Sequence, residues 1–250
     1  MNPIRLYFRT LHRAWGEQHW WPAESPFEVI CGAILTQNTA WTNVERALAN
    51  LRNAGKLTAA GIRALPIDEL QQLIRPAGYF RQKSARLKTF ICFLDENYGG
   101  LLDRMFSQPT DALRERLLAL NGIGPETADS ILLYAGNHEV FVVDAYTRRV
   151  FERHDLISAK TTYDAIREMV ESALYDEQSK PARGSRPRTG KIASLPTSHP
   201  PSAMSTTPRS PVSQRYNEFH GLIVQVGKHF CAKSAPKCEE CPLRPYLPVK

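Results

Sequence analysis

Apolar residues recur at helical spacing through most of the chain, and polar turn residues interrupt them. Ile4, Tyr7, Phe8, Leu11 and Trp15 predict a first helix that ends near Glu17. Ser25-Pro26 opens a second helix, because serine caps an N-terminus and proline suits the first helical position. Its apolar set is Phe27, Ile30, Cys31, Ile34 and Leu35, and it ends in the polar turn Thr36-Gln37-Asn38-Thr39. A third helix carries Trp41, Val44, Leu48 and Leu51 and stops near Gly55. Short helices follow at 59–65 and 68–74, then a breaker-rich turn at 75–79. Residues 81–98 are helical, with Leu87, Phe90, Ile91 and Leu94 inward and Gly99-Gly100 as the stop. Further helices are predicted at 162–174, with Tyr163, Ile166, Met169 and Val170, and from Tyr216, with Phe219, Leu222, Ile223 and Val226. The extended apolar run 139–143 is too isolated to build a sheet, so the fold class is all-α.

One stretch departs from plain helical periodicity. Thr110 is placed as N-cap of a helix with Leu113, Leu117 and Leu118, which runs into Leu120-Asn121-Gly122-Ile123-Gly124-Pro125-Glu126-Thr127-Ala128. That turn is too tight for most residues, so Gly122 and Gly124 are read as supplying unusual backbone angles. Pro125 fits the first position of the next helix, where its missing N–H is no loss. Exposed amides at such a corner suit an anion such as a DNA phosphate, although the same pattern also serves an ordinary helix corner. A short apolar helix later comes Val142-Val143-Asp144 and another helix with Tyr146, Arg148, Arg149 and Val150. Asp144 is a natural N-cap, and a capping bond would also hold its carboxylate still for chemistry.

Charge is distributed unevenly. The 250 residues carry 32 basic and 25 acidic side chains, a net charge of +7. Seven of the basic ones lie at 178–215, a Ser/Pro/Arg-rich stretch with seven prolines and no acid, leaving 25 against 25 elsewhere. That stretch is expected to be a disordered basic insertion, either tethering the protein to DNA or without a role. Cys31 and Cys92 fall in apolar helical patterns and read as core residues. Cys231, Cys238 and Cys241 cluster near the end, which suggests a metal centre in a reducing compartment. The apolar runs are too short for a membrane span, and an intracellular, cytoplasmic or nucleoid protein is expected.

The glycine hairpin, Asp144 and the cysteine spacing together resemble the helix-hairpin-helix DNA glycosylases of the endonuclease III superfamily. The match runs from about Phe27 to Asp144 and resumes from His220 to Cys241. The resemblance implies two lobes: a helical barrel at 27–133, and a second domain of 1–26 plus 134–250 with the catalytic Asp and a cysteine loop. It implies a cleft site in which Asp144 is catalytic and the hairpin residues Asn121, Gly122, Ile123, Gly124, Glu126 and Thr127 hold phosphate. Gln37 would fill the gap left by a nucleotide turned out of the duplex, and with Asn38 it would line the base pocket. Trp20 and Trp21 would stack on the base, unless they only plug the core. Lys83, Arg86 and Lys88 would face phosphates, or form a solvated helix face.

Two departures shape what is implied. Lyase members carry an imine-forming lysine where this chain has Glu126. Adenine-specific members carry a glutamate where this chain has Ala33. The resemblance to small bacterial 3-methyladenine glycosylases rests on Trp20-Trp21-Pro22, 32–39 and Glu126-Thr127-Ala128-Asp129. The implied function is monofunctional removal of a damaged, alkylated base from double-stranded DNA by a monomer. The competing readings are an oxidised-pyrimidine glycosylase with abasic-site lyase activity, and a non-catalytic DNA-binding module. The family's [4Fe–4S] spacing, Cys-x6-Cys-x2-Cys-x5-Cys, is matched by Cys231, Cys238 and Cys241, but Leu247 holds the fourth position. A cluster is the expectation, with zinc completed by His220 or His229, or no metal, as alternatives.

Overall fold

The computed structural model describes residues 2–175 and 199–248. Twelve α-helices are described: α1 (Pro3–Trp15), α2 (Pro26–Leu35), α3 (Trp41–Asn53), α4 (Ala59–Ala64), α5 (Ile67–Leu73), α6 (Phe80–Tyr98), α7 (Leu102–Phe106), α8 (Thr110–Leu118), α9 (Pro125–Ser130), α10 (Ala145–Arg153), α11 (Tyr163–Tyr175) and α12 (Pro211–His229). A π turn at Ile131–Ala135 continues α9, and the described residues contain no strand. None of these helices is long and apolar enough to cross a membrane.

The chain divides into two compact units. One unit is Pro22–Glu139 with Ser202–Thr207, and the other is Met1–Trp21, Val140–Pro201 and Pro208–Lys250. The first is built on α2, in which every residue from Phe27 to Leu35 is buried. A helix apolar on all sides needs neighbours on all sides, and α3, α6, α9 and the π turn supply them. Ser25 caps α2 by accepting from the Glu28 N–H at 3.2 Å, and Glu28, itself buried, pairs with Arg52. The second unit packs α1, α10 and α11 against α12, where Phe219 meets Phe8, Phe141 and Phe151.

Four expectations need correction. Residues 199–215, expected to be disordered, are placed: Met204 is buried and its N–H donates to Ala23 O at 3.0 Å, while the Ala23 N–H donates to Ser202 Oγ at 3.2 Å. A helix also begins at Pro211, five residues before Tyr216, capped by Ser210. The rest of that basic stretch, 178–198, lies outside the described residues. Thr110 is the first residue of α8 rather than its cap, and its hydroxyl bonds His138 Nδ1 at 2.9 Å. Cys31 is buried as expected, but Cys92 is exposed.

Candidate functional site

The hairpin between α8 and α9 is clamped on its inner side. Arg114 binds both carboxylate oxygens of the buried Asp129, at 2.7 and 3.2 Å, tying α8 to α9. Ile123 is buried under the turn, whereas Asn121, Gly124 and Glu126 are exposed. Gly122 has φ +83°, where a side chain is strained, and a Cβ there would meet Arg86 Nε at 2.2 Å. Gly124 differs from the sequence reading: its φ is −92°, an ordinary value, and a Cβ would meet nothing within 4 Å.

Gln37 braces this turn. Its Nε2 donates to Gly122 O at 3.0 Å and to Thr127 Oγ1 at 2.8 Å, while its Oε1 accepts from Arg86. All three bonds lie within one unit and use both ends of the amide. Asn38, the next residue, is exposed in the left-handed region at φ +53°, which asparagine tolerates. The two α6 lysines are engaged by backbone carbonyls. Lys83 is buried, with Nζ donating to Leu35 O and Ala77 O at 2.8 Å each; burial and the nearby Arg86 push its ammonium down to about 8. Lys88 donates to the carbonyls of Ile62, Arg63 and Leu65 at the end of α4. These lysines satisfy helix-end carbonyls, a role that charge patterning alone does not show.

Asp144, in the other unit, is the N-cap of α10. Its Oδ1 accepts from Thr147 N at 2.7 Å and from Thr147 Oγ1 at 2.9 Å. Its Oδ2 lies 3.6 Å from His220 Nε2, and the Asp144 side chain is 13% exposed. Burial by itself would raise this carboxyl, but His220 and the Thr147 donors outweigh it and hold it below the ordinary carboxylate range. The site therefore presents a fixed, ionised carboxylate. His220, buried on α12, is brought to Asp144 across 76 residues of sequence, so no local pattern marks it as a partner.

Trp20 and Trp21 are both buried. The Trp20 ring packs edge-on against Trp21 at 6.0 Å and His220 at 5.8 Å, with the Lys228 ammonium 5.7 Å from its centre. Of the two sequence readings this arrangement is the packed one. Gly221 permits it, since a Cβ there would meet the Trp20 and Gln18 Cβ atoms at 3.1 Å. Behind them Glu218 is buried and accepts from Gln18 N at 2.8 Å. Burial pushes its carboxyl up to about 7; the Gln18 N–H opposes this, Glu17 adds to it and Arg209 opposes it. Its stabilising contribution is complete below pH 4.5 and is lost as pH rises through about 7. Melting from pH 5 to 8 should show a decline that Glu218→Gln flattens, with the variant the more stable at pH 8 by on the order of 2–3 kcal/mol.

The cysteines do not make the expected ligand set. Cys231 is buried and its Sγ accepts from Arg153 at 3.0 Å. Burial pushes the Cys241 thiol up to about 11, the neighbouring Cys231 and Cys238 adding to it. Leu247, in the fourth position, offers no donor, His229 is exposed and His220 faces Asp144. Among the described residues no three His, Cys, Asp or Glu side chains group to hold a metal. The residues present therefore do not fit a four-thiolate cluster or a Cys3His zinc site.

The chain is similar to known proteins over most of its length. The profile of the HhH-GPD superfamily base excision DNA repair proteins matches residues 31–174. A protein of Methanocaldococcus jannaschii, whose name places it provisionally among the DNA repair glycosylases, is 41% identical over 245 residues, 97% of this chain and 94% of its own. Endonuclease III of Thermotoga maritima is 25% identical over 222 residues, 88% of this chain and 81% of its own. Among solved structures, H. pylori 3-methyladenine DNA glycosylase (MagIII) bound to 1,N6-ethenoadenine aligns with a TM-score of 0.66 and 26% identity, covering 91% of this chain and 98% of that one. A trapped endonuclease III–DNA covalent intermediate aligns at 0.70 with 19% identity, over 98% and 94%, and shares the fold. The chain belongs to the HhH-GPD superfamily of base excision DNA repair proteins and is a glycosylase of the endonuclease III superfamily.

Proposed function

We propose that this glycosylase is monofunctional and removes an alkylated, cationic base from double-stranded DNA by hydrolysing its N-glycosidic bond. The observation that carries the reading is the Asp144 carboxylate: ionised, held at Oδ1 by Thr147, and partly open to solvent at 13% exposure. The nucleotide leaves the base stack, because the bond is out of reach inside a duplex. The base departs with the glycosidic electron pair, and positive charge develops on the sugar. Asp144 stabilises that charge and takes the proton from the water that adds to the sugar.

The remaining residues take these roles. The amides of the exposed hairpin residues Asn121, Gly124 and Glu126 hold a backbone phosphate. Asn38 enters the gap in the stack, while Gln37, whose amide is engaged, keeps the hairpin in shape. The similarity to MagIII supports this substrate class.

Monofunctionality rests on Glu126, which forms no imine, and on Lys83, buried with its ammonium on two carbonyls. Two assays test the proposal. Free base should appear from methylated duplex DNA and not from oxidised duplex DNA. Borohydride should trap no covalent adduct on abasic DNA; efficient trapping would establish lyase chemistry instead.

A further inference from the structure

We propose that His220 is the positioning residue of Asp144, fixing the carboxylate oxygen that Thr147 leaves unheld; this rests on reading Asp144 as the reacting carboxylate. Thr147 occupies Oδ1 with its amide and its hydroxyl. Only Oδ2 remains to meet the sugar and the water, and His220 Nε2 stands 3.6 Å from it. That distance suits an ion pair and is too long for a hydrogen bond. The imidazole is set by its surroundings: Trp20 packs on it edge-on at 5.8 Å and Phe141 at 6.1 Å. Both rings are buried, so the imidazole has little freedom to turn away. The close approach of Trp20 depends on Gly221, the residue after His220. His220 thus gives a carboxylate in an apolar setting a nearby partner and one orientation, without touching DNA itself.

The consequence is a pH-dependent one. Base release needs ionised Asp144, so its acidic limb reports that carboxyl. Other ionisable groups on the elements packed here are Arg148 and Arg149 on α10, Tyr163 on α11, Glu218 and Lys228 on α12, and His199 beside Trp20. Glu218 titrates near 7, inside the assay window, so the series is run in both wild-type and Glu218→Gln backgrounds.

The experiment is single-turnover base release from methylated duplex DNA from about pH 3 to 8, a range that reaches below the ordinary carboxylate value, with melting curves, for His220→Gln and His220→Leu. His220→Leu should slow the plateau about tenfold, the loss of one modest electrostatic contact. The neutral amide of His220→Gln should recover most of the plateau. In both variants the acidic limb should move to higher pH, because His220 beside Oδ2 is among the groups that hold the Asp144 carboxyl down. A role limited to packing would lower the melting temperature and leave the limb where it was. A limb at the wild-type position in folded His220→Gln overturns the proposal, even if His220→Leu does not fold. Asp144→Asn in parallel separates the two readings: full activity there removes the role of Asp144, whereas inactivity there with an unmoved His220 limb removes only that of His220.

Discussion

Asp144→Asn is expected to slow single-turnover base release by about 10²–10³-fold while leaving the melting temperature nearly unchanged. The two halves of that result have different physical origins. Asparagine and aspartate are near-equal N-caps, and an amide oxygen accepts from Thr147 N and Oγ1 as the carboxylate does. α10 therefore keeps its start. What disappears is the full negative charge facing the developing sugar cation, and the base that takes a proton from water. Neither is replaced by a neutral amide. DNA affinity should hold or rise, because a carboxylate repels phosphate and the hairpin at 121–126 is untouched. Base release at the wild-type rate would reduce Asp144 to a cap. A large fall in melting temperature would leave the rate loss unattributable to chemistry, and the rate of the folded fraction would then have to be measured below the transition.

Gly122→Ala should have the largest effect on the hairpin, for two reasons that add. A non-glycine residue in the left-handed region costs about 1–2 kcal/mol, and Gly122 sits at φ +83°. The new Cβ also falls 2.2 Å from Arg86 Nε and 2.7 Å from Arg86 Cδ, in the middle of that side chain rather than at its free end. Arg86 must swing away, and with it goes the bond that holds Gln37 Oε1. Overpacking of this kind costs about 1–3 kcal/mol. The sum predicts a melting temperature lower by roughly 4–20 °C and DNA binding weakened about tenfold, equivalent to about 1.4 kcal/mol. A double-mutant cycle separates the terms: with Arg86→Ala in place the clash is gone, and Gly122→Ala should cost only the backbone part. If Gly122→Ala melts and binds as wild type, the hairpin does not depend on this geometry. Gly124→Ala is the contrast, since its backbone is ordinary and its surroundings are open.

Both predictions concern fixed groups, and both units fix theirs by the same means. A charged or polar side chain is held by backbone atoms that a helix end leaves over. Asp144 takes the Thr147 amide at the start of α10, Lys83 takes the Leu35 carbonyl at the end of α2, and Lys88 takes three carbonyls at the end of α4. Lys83 and Lys88, expected to meet phosphate, are thereby engaged within the protein.

The sequence by itself determined the helices, the hairpin and the position of Asp144, because each is a local matter. Helical periodicity marks α1, α2, α3 and α6 to within a residue or two. Ser25-Pro26 and the Gly122 turn carry their geometry in a few adjacent residues, and an acid before a helix is a cap wherever it occurs. The tertiary structure decided which of two local options each ambiguous residue takes. Trp20 and Trp21 are packed inward because α12 offers Gly221 and His220 to receive them. Gln37 is a brace because Arg86, 49 residues on, and Gly122, 85 residues on, reach it. The Ser/Pro-rich composition around Met204 predicts the absence of regular structure, but a buried apolar residue, its N–H bond to Ala23 O and the bond from Ala23 N–H to Ser202 Oγ hold the turn. His220 came to Asp144 only through the packing of α10 on α12. Long-range pairs of this kind leave no periodicity and no motif, so they are read from the folded chain or not at all.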